Sequence, residues 1–326
     1  MMKSTKSIAV GLTLISAAAI LASCGTDEQA SNSSENTNKE DKLKVVTTFY
    51  PMYDFTRNVT QDFAEVSLLL PAGTDVHSFE PSAKEVAEIQ EADVFIYNSE
   101  EMETWVPAVL DTIDLEQVQV IDAGEGISLI ENESTEEHEE HEYEADVEEE
   151  HLHAFDPHIW LDPVFAQEEV TTIKEGLIIA DPENQESYEA NAVSYNQELE
   201  ALNQEYQTTF KDAKNRTFVT QHTAFGYLAK RYDLIQVSIA GLTTEEEPSP
   251  AKLAELSEII KEEKIEYIYF EDNASSKIAE TLANEVGVEL ALLSPLAGVS
   301  QENQENGIDY IEVMKKNLDS LKKSIR

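Results

Sequence analysis

The sequence predicts an α/β protein of two lobes, each with a parallel sheet flanked by helices, joined by one long rigid connecting helix. Three observations predict it. From residue 43 onward short apolar runs alternate with helical patterns, the alternation falls into two separate sets, and one unbroken pattern of threes and fours lies between the sets. Parallel strands need a crossover long enough to hold a helix, so alternation of this kind marks a parallel sheet.

In the first set the candidate strands are 44–49, 65–70, 93–98 and 117–122. Residues 82–91, opened by Pro81 at a helix-start position, form a helix between the second and third. Next comes the connector. Tyr188, Ala192, Tyr195, Leu199, Leu202, Tyr206 and Phe210 step by threes and fours among polar residues, and a helix of about 25 residues is about 37 Å long. Two lobes joined by one such rod hinge less freely than lobes joined by several strands. In the second set the strands are 217–221, 234–239, 266–271 and 289–293, with helices near 225–232, 250–263, 275–286 and 307–322. In the last helix Ile311, Met314, Leu318 and Leu321 mark a core face. The expected division is a signal peptide at 1–23, a lipidated Cys and flexible tether at 24–42, and an N-terminal α/β lobe at 43–184. The connecting helix follows at 185–212 and a C-terminal α/β lobe at 213–326. An acidic, histidine-containing loop at 131–153 interrupts the first lobe; residues 131–150 hold twelve Asp or Glu and show no apolar periodicity.

Lys3 and Lys6 precede an apolar run at 8–21, followed by Ala22, Ser23 and Cys24. A positive start, a short apolar stretch and small residues describe an export signal, too short for a comfortable membrane span. The tetrad Leu21-Ala22-Ser23-Cys24 resembles the bacterial lipobox, in which the cysteine carries the lipid. Cys24 is the only cysteine, so internal disulfides are excluded and its thiol is open to lipidation. No other stretch reaches about 18 unbroken apolar residues. The expectation is an exported monomer, held on the outer face of the cell membrane by a lipid on Cys24, in a Gram-positive cell. Net charge is −44. Nucleic acid is therefore a poor partner, and a cation is the natural complement.

Seven histidines occur, and four of them, His138, His141, His151 and His153, belong to the acidic loop region, where they are candidates for weak metal attraction. The other three stand apart. His77 and His222 follow predicted strands, and His158 lies just ahead of a helical segment. In open α/β sheets ligands bind outside the carboxyl ends of strands, which is where two facing lobes would bring such residues together. No local pair such as HExxH or CxxC is present. The residues alone leave a structural reading and a ligand reading open.

From about Lys44 onward the chain resembles the zinc-binding components of bacterial ABC importers, the AdcA and ZnuA type of metal-binding lipoprotein. The stretches that carry the resemblance are Pro71-Ala-Gly-Thr-Asp-Val-His77-Ser-Phe-Glu-Pro-Ser82, Met102-Glu-Thr-Trp-Val-Pro107, His153-Ala-Phe-Asp-Pro-His158-Ile-Trp-Leu161, Thr220-Gln-His222-Thr-Ala-Phe-Gly-Tyr227 and Tyr269-Phe-Glu-Asp-Asn-Ala-Ser-Ser276. The resemblance implies two α/β lobes bridged by a helix, Zn2+ held between them by His77, His158 and His222, and delivery to a membrane permease. It ends with the second lobe, with no room for the further zinc-binding domain some members carry. At one place the chain departs from the pattern. Where zinc members commonly offer a glutamate as fourth ligand, this chain has Ser294-Pro295-Leu296-Ala297-Gly298. The fourth position then falls to water or to another acid. Glu271, Asp272 and Asp75 are the candidates, either as ligand or as acids behind the ligands.

Three imidazoles suit zinc better than manganese, which prefers oxygen donors. A manganese importer component and an adhesion-associated surface lipoprotein are the alternative expectations. A zinc hydrolase ranks below them, since three histidines and a water also describe a catalytic zinc but no motif supplies the general base such an enzyme needs.

Overall fold

The computed structural model describes residues 42–71, 73–132, 154–243, 248–272 and 275–326. Cys24, the leader before it and His138, His141, His151 and His153 lie outside the described residues. The first half runs β1 (Leu43–Thr47), α1 (Tyr50–Thr60), β2 (Ala64–Leu68), α2 (Ala83–Gln90), β3 (Val94–Tyr97), α3 (Val106–Leu110) and β4 (Gln119–Asp122). The strands form one sheet in the order β2-β1-β3-β4, every pair parallel. Alternation of side chains across the sheet divides its apolar residues between two faces. Val46, Phe95 and Tyr97 pack under α2 and α3 with Ile89, Val106 and Val109. Val45, Val94, Ile96 and Ile121 face the middle of the molecule.

A two-rung antiparallel ladder follows, β5 (Ile130–Glu131) with β6 (Phe155–Asp156). Then come α4 (Pro163–Ala180) and α5 (Gln185–Phe210). The second half runs β7 (Thr217–Thr220), α6 (Gly226–Arg231), β8 (Ile235–Ser238), α7 (Pro250–Glu262), β9 (Tyr267–Phe270), α8 (Lys277–Val286), β10 (Glu289–Leu292), α9 (Gln301–Glu305) and α10 (Tyr310–Leu321). Its sheet has the order β10-β9-β7-β8 and is again parallel throughout.

All eight strands of the two sheets lie where the sequence predicts them. Most end one or two residues early: Phe49, Leu70, Asn98, Gln221, Glu271 and Leu293 have left the ladders and curl over the crests of the sheets. The connecting helix, α5, has 26 residues and so extends about 39 Å. All seven residues of its three-and-four pattern are buried. It is not a bare rod, however. It packs against α4, α1 and α10, and one apolar cluster runs from Val45 and Ile96 through Tyr195, Leu199 and Leu202 to Phe218 and Tyr269. Arg216 fastens its far end, donating to the carbonyls of Phe210 and Lys211 on one side and of Tyr232 and Asp233 on the other. The first pair stands at the end of α5 and the second just past α6, so one guanidinium ties the two helix ends together.

Helices α1, α3 and α9 have no counterpart in the sequence reading, and α4 appears there only as a helical segment after His158. In α1 the aromatic and β-branched content lowers intrinsic helix preference, and Pro51 in the first turn starts it instead. In α4 apolar residues occupy most sides, which blurs the periodic stripe that marks an amphipathic helix. Gly176 lets α4 lie against β4, because a Cβ there would come within 2.3 Å of the Ile121 side chain. The same helix buries Glu169 completely, with no hydrogen-bond partner for either carboxylate oxygen among the described residues.

Candidate metal centre

The turn after β2 carries His77, the residue after β6 and Pro157 is His158, and His222 lies just past β7. Each backbone N–H is tied to an acid. Asp75 Oδ1 accepts from the His77 N–H at 2.8 Å, and Asp156 Oδ1 accepts from the His158 N–H at 2.9 Å. Both are Asp-x-His pairs, in which a short carboxylate folds onto the N–H two residues ahead. For His222 the acid comes from another strand end: Glu271 Oε1 accepts from its N–H at 3.1 Å.

Two of these oxygens do more. Asp156 Oδ1 is 2.8 Å from His158 Nδ1, and Glu271 Oε1 is 2.6 Å from His222 Nδ1. An ionised carboxylate can only accept, so each Nδ1 is the protonated nitrogen and each Nε2 keeps a lone pair. Those lone pairs point at one another. His158 Nε2 is 3.2 Å from His77 Nε2 and 3.3 Å from His222 Nε2. Three nitrogens around a tetrahedral zinc, each 2.0–2.1 Å from it, would lie about 3.3 Å apart. Without a proton or cation between them such lone pairs repel. The set is arranged to receive a cation.

His158 and His222 are buried and His77 is half-buried. Asp75, Val76, Trp160, Pro295 and Ala297 close the rest of a cavity of about 10 Å3, the room of a single water or ion. Trp160 lies 5.3 Å from the His158 ring and donates its Nε1–H to the Pro295 carbonyl at 2.9 Å. Asn317 holds the same loop by both the N–H and the carbonyl of Ser294. Leu296 sits there at φ 58°, a left-handed conformation that costs a residue other than glycine about 1–2 kcal/mol. The bonds from Trp160 and Asn317 hold the loop in that conformation, which leaves Ala297 lining the cavity with the three histidines.

Of the acids weighed from sequence, Glu271 stands behind His222, Asp75 supports the His77 turn and lines the cavity, and Asp272 accepts from the Ser294 hydroxyl at 3.0 Å. Burial raises the Asp272 carboxyl above its usual range. Among the described residues, the three histidines are the one group of metal-type side chains whose donor atoms all fall within 4.8 Å of one another. Asp156 was missed. Its signal was present as an aspartate two residues before a histidine, the same spacing as Asp75 and His77. Gly226 has a part here that spacing could not reveal. A Cβ at that position would lie 2.6 Å from Asp156 Oδ2, so the first residue of α6 makes room for the carboxylate.

Known proteins carry the same architecture. The chain is 48% identical to the high-affinity zinc uptake system protein ZnuA of Bacillus subtilis (strain 168), over 97% of each chain. It is 46% identical to the zinc-binding lipoprotein AdcA of Streptococcus pneumoniae, covering 97% of this chain but only 60% of that longer protein. The crystal structure of the Zn(II)-bound ZnuA-like domain of S. pneumoniae AdcA superposes with a TM-score of 0.73 at 46% identity, over 87% of this chain and 98% of that one. The family model for ZnuA, described as zinc-uptake complex component A, periplasmic, matches residues 45–324. Its members bind a solute for uptake and are not enzymes, and this chain belongs to that family.

Proposed function

We propose that the chain captures Zn2+ outside the cytoplasm with the Nε2 atoms of His77, His158 and His222 and passes it to an ABC permease. The observation that carries this reading is the spacing of those nitrogens, 3.2 and 3.3 Å from His158 Nε2 to the other two, close to the edge of a tetrahedral zinc site. The donor chemistry supports zinc over manganese, because all three groups are imidazoles. Asp156 and Glu271 behind two of them raise the basicity of the ligand nitrogens. The fourth position faces Ala297, which has nothing to coordinate with, and is filled by water. Cys24, carrying a lipid, would hold the protein at the outer face of the membrane beside its permease, and the fold would act as a monomer.

Metal content by mass spectrometry, with zinc against manganese in competition, tests the reading. One zinc per chain and loss of tight binding in each of His77→Ala, His158→Ala and His222→Ala are expected. Undiminished zinc affinity in His158→Ala, the central member of the set, would overturn it. Replacement of Cys24 by Ala should release the protein from membranes into the medium while leaving zinc binding intact.

A further inference from the structure

Glu103 lies away from the three histidines, yet it is buried at the crest of the first sheet. Its carboxylate collects three donors. The Thr48 hydroxyl donates to Oε1, the Asn98 N–H donates to Oε1 at 3.0 Å, and the Ser99 N–H donates to Oε2 at 3.1 Å. Thr48 and Asn98 are the residues just past the ends of β1 and β3, and each leads to a histidine. The Thr48 carbonyl accepts from the N–H of Leu70, at the root of the turn that carries His77. The Asn98 carboxamide donates at 3.2 Å to the carbonyl of Pro157, the residue before His158. Gly124 packs over the same point, its N–H donating to the Asn98 carbonyl at 2.9 Å.

We propose that Glu103 is a positioning residue of the metal centre, setting the roots of His77 and His158 together through Thr48 and Asn98. Its place in the sequence explains none of this, since it stands in the short turn between β3 and α3. A brace for that turn alone would need only the bonds to Ser99, and the turn already has the Ser99 carbonyl accepting from the Met102 and Glu103 N–H groups. Burial first, with a smaller push from Asp122 of β4, raises the Glu103 carboxyl to about 7 in spite of its three donors. A charged acceptor is therefore held in an unfavourable place. The gain lies in joining two separate chain segments at one carboxylate, since hydrogen bonds to a charged group are roughly twice as strong as neutral ones.

The proposal rests on the three-histidine reading, and the test separates the two. Wild-type protein, Glu103→Gln, Asn98→Ala and Asp54→Asn would be titrated with Zn2+ against a chelator and loaded with Co2+ for its visible absorption. Circular dichroism and thermal melting would report the fold. Glu103→Gln and Asn98→Ala are expected to bind Zn2+ at least about tenfold more weakly, the usual loss for a group that orients metal ligands, and to change the Co2+ band. Asp54, which ties α1 to Tyr195 of α5, is expected to lower the melting temperature when changed to Asn while leaving affinity and band as in wild type. Wild-type affinity and an unchanged band in both Glu103→Gln and Asn98→Ala would overturn the proposal. Should Glu103→Gln fail to fold, Asn98→Ala decides alone. Failure of wild-type protein to bind Zn2+ would instead overturn the reading beneath it.

Discussion

Asp156 and Glu271 each spend a single oxygen on two N–H groups of one histidine, the backbone amide and the ring Nδ1. That fixes which ring nitrogen faces the cavity and brings two negative charges up behind neutral ligands. A Zn2+ bound as proposed would have these two negative charges behind its ligands to offset its own. Glu271→Gln keeps an acceptor but removes a charge, so zinc affinity should fall about ten- to a hundredfold with one zinc still bound. Chelator competition measures it, and wild-type affinity would mean the charge is immaterial. Ala297→Glu makes the opposite change, adding a carboxylate at the fourth position. Tighter zinc binding and slower release to a chelator are expected, whereas no change would show that another group already fills the position. Gly226→Ala should weaken binding indirectly, because its Cβ displaces the Asp156 carboxylate.

At the scale of elements, α4 contains a group that works against folding. Glu169 is wholly buried without a hydrogen-bond partner among the described residues, and burial first, then the nearby Glu103, Asp122 and Asp162, push its carboxyl well above the usual range. The folded protein thus binds a proton more firmly there than the unfolded chain does. Stability from this group is full below the unfolded pKa and is lost as pH rises toward the folded one. Glu169→Leu should raise stability by about 1–3 kcal/mol, more at pH 8 than at pH 5, in chemical denaturation at the two values. An equal change at both would argue against the buried acid as its source. This residue also shows where sequence reading stops. The strands and α5 were legible because Val, Ile and aromatic runs and the seven-residue stripe from Tyr188 to Phe210 follow simple periods. The three histidines were legible from the residues alone only as candidates, His77 and His222 after predicted strands and His158 ahead of a helical segment, and it was the family resemblance that made them a set. Of the acids behind them, Glu271 was legible only as one of three candidates, since it reaches His222 across 49 positions and pairing between two strand ends leaves no local pattern, and Asp156 was missed although it stands two residues before His158.

For the molecule as a whole, net charge and metal act in opposite directions. A charge of −44 repels itself, and salt screens that repulsion within about 8 Å at physiological ionic strength. The melting temperature of the metal-free protein should therefore rise between about 10 and 150 mM NaCl, while the association rate of Zn2+ falls over the same range. Calorimetry and stopped-flow fluorescence read these separately. Zinc affinity should also drop below about pH 6, because imidazoles must be neutral to bind; unchanged affinity at pH 5 would contradict a three-histidine centre. The two-rung ladder of Ile130 and Glu131 with Asp156 and Phe155 has a separate consequence. The Asn132 N–H donates to the Ala154 carbonyl there, four residues before His158. Residues 131 and 155 are thereby pinned side by side, whatever number of residues the sequence places between them. A change in that number costs little, since doubling the length of a connection costs only about 0.6 kcal/mol. The ladder thus uncouples the length of the intervening sequence from the position of His158.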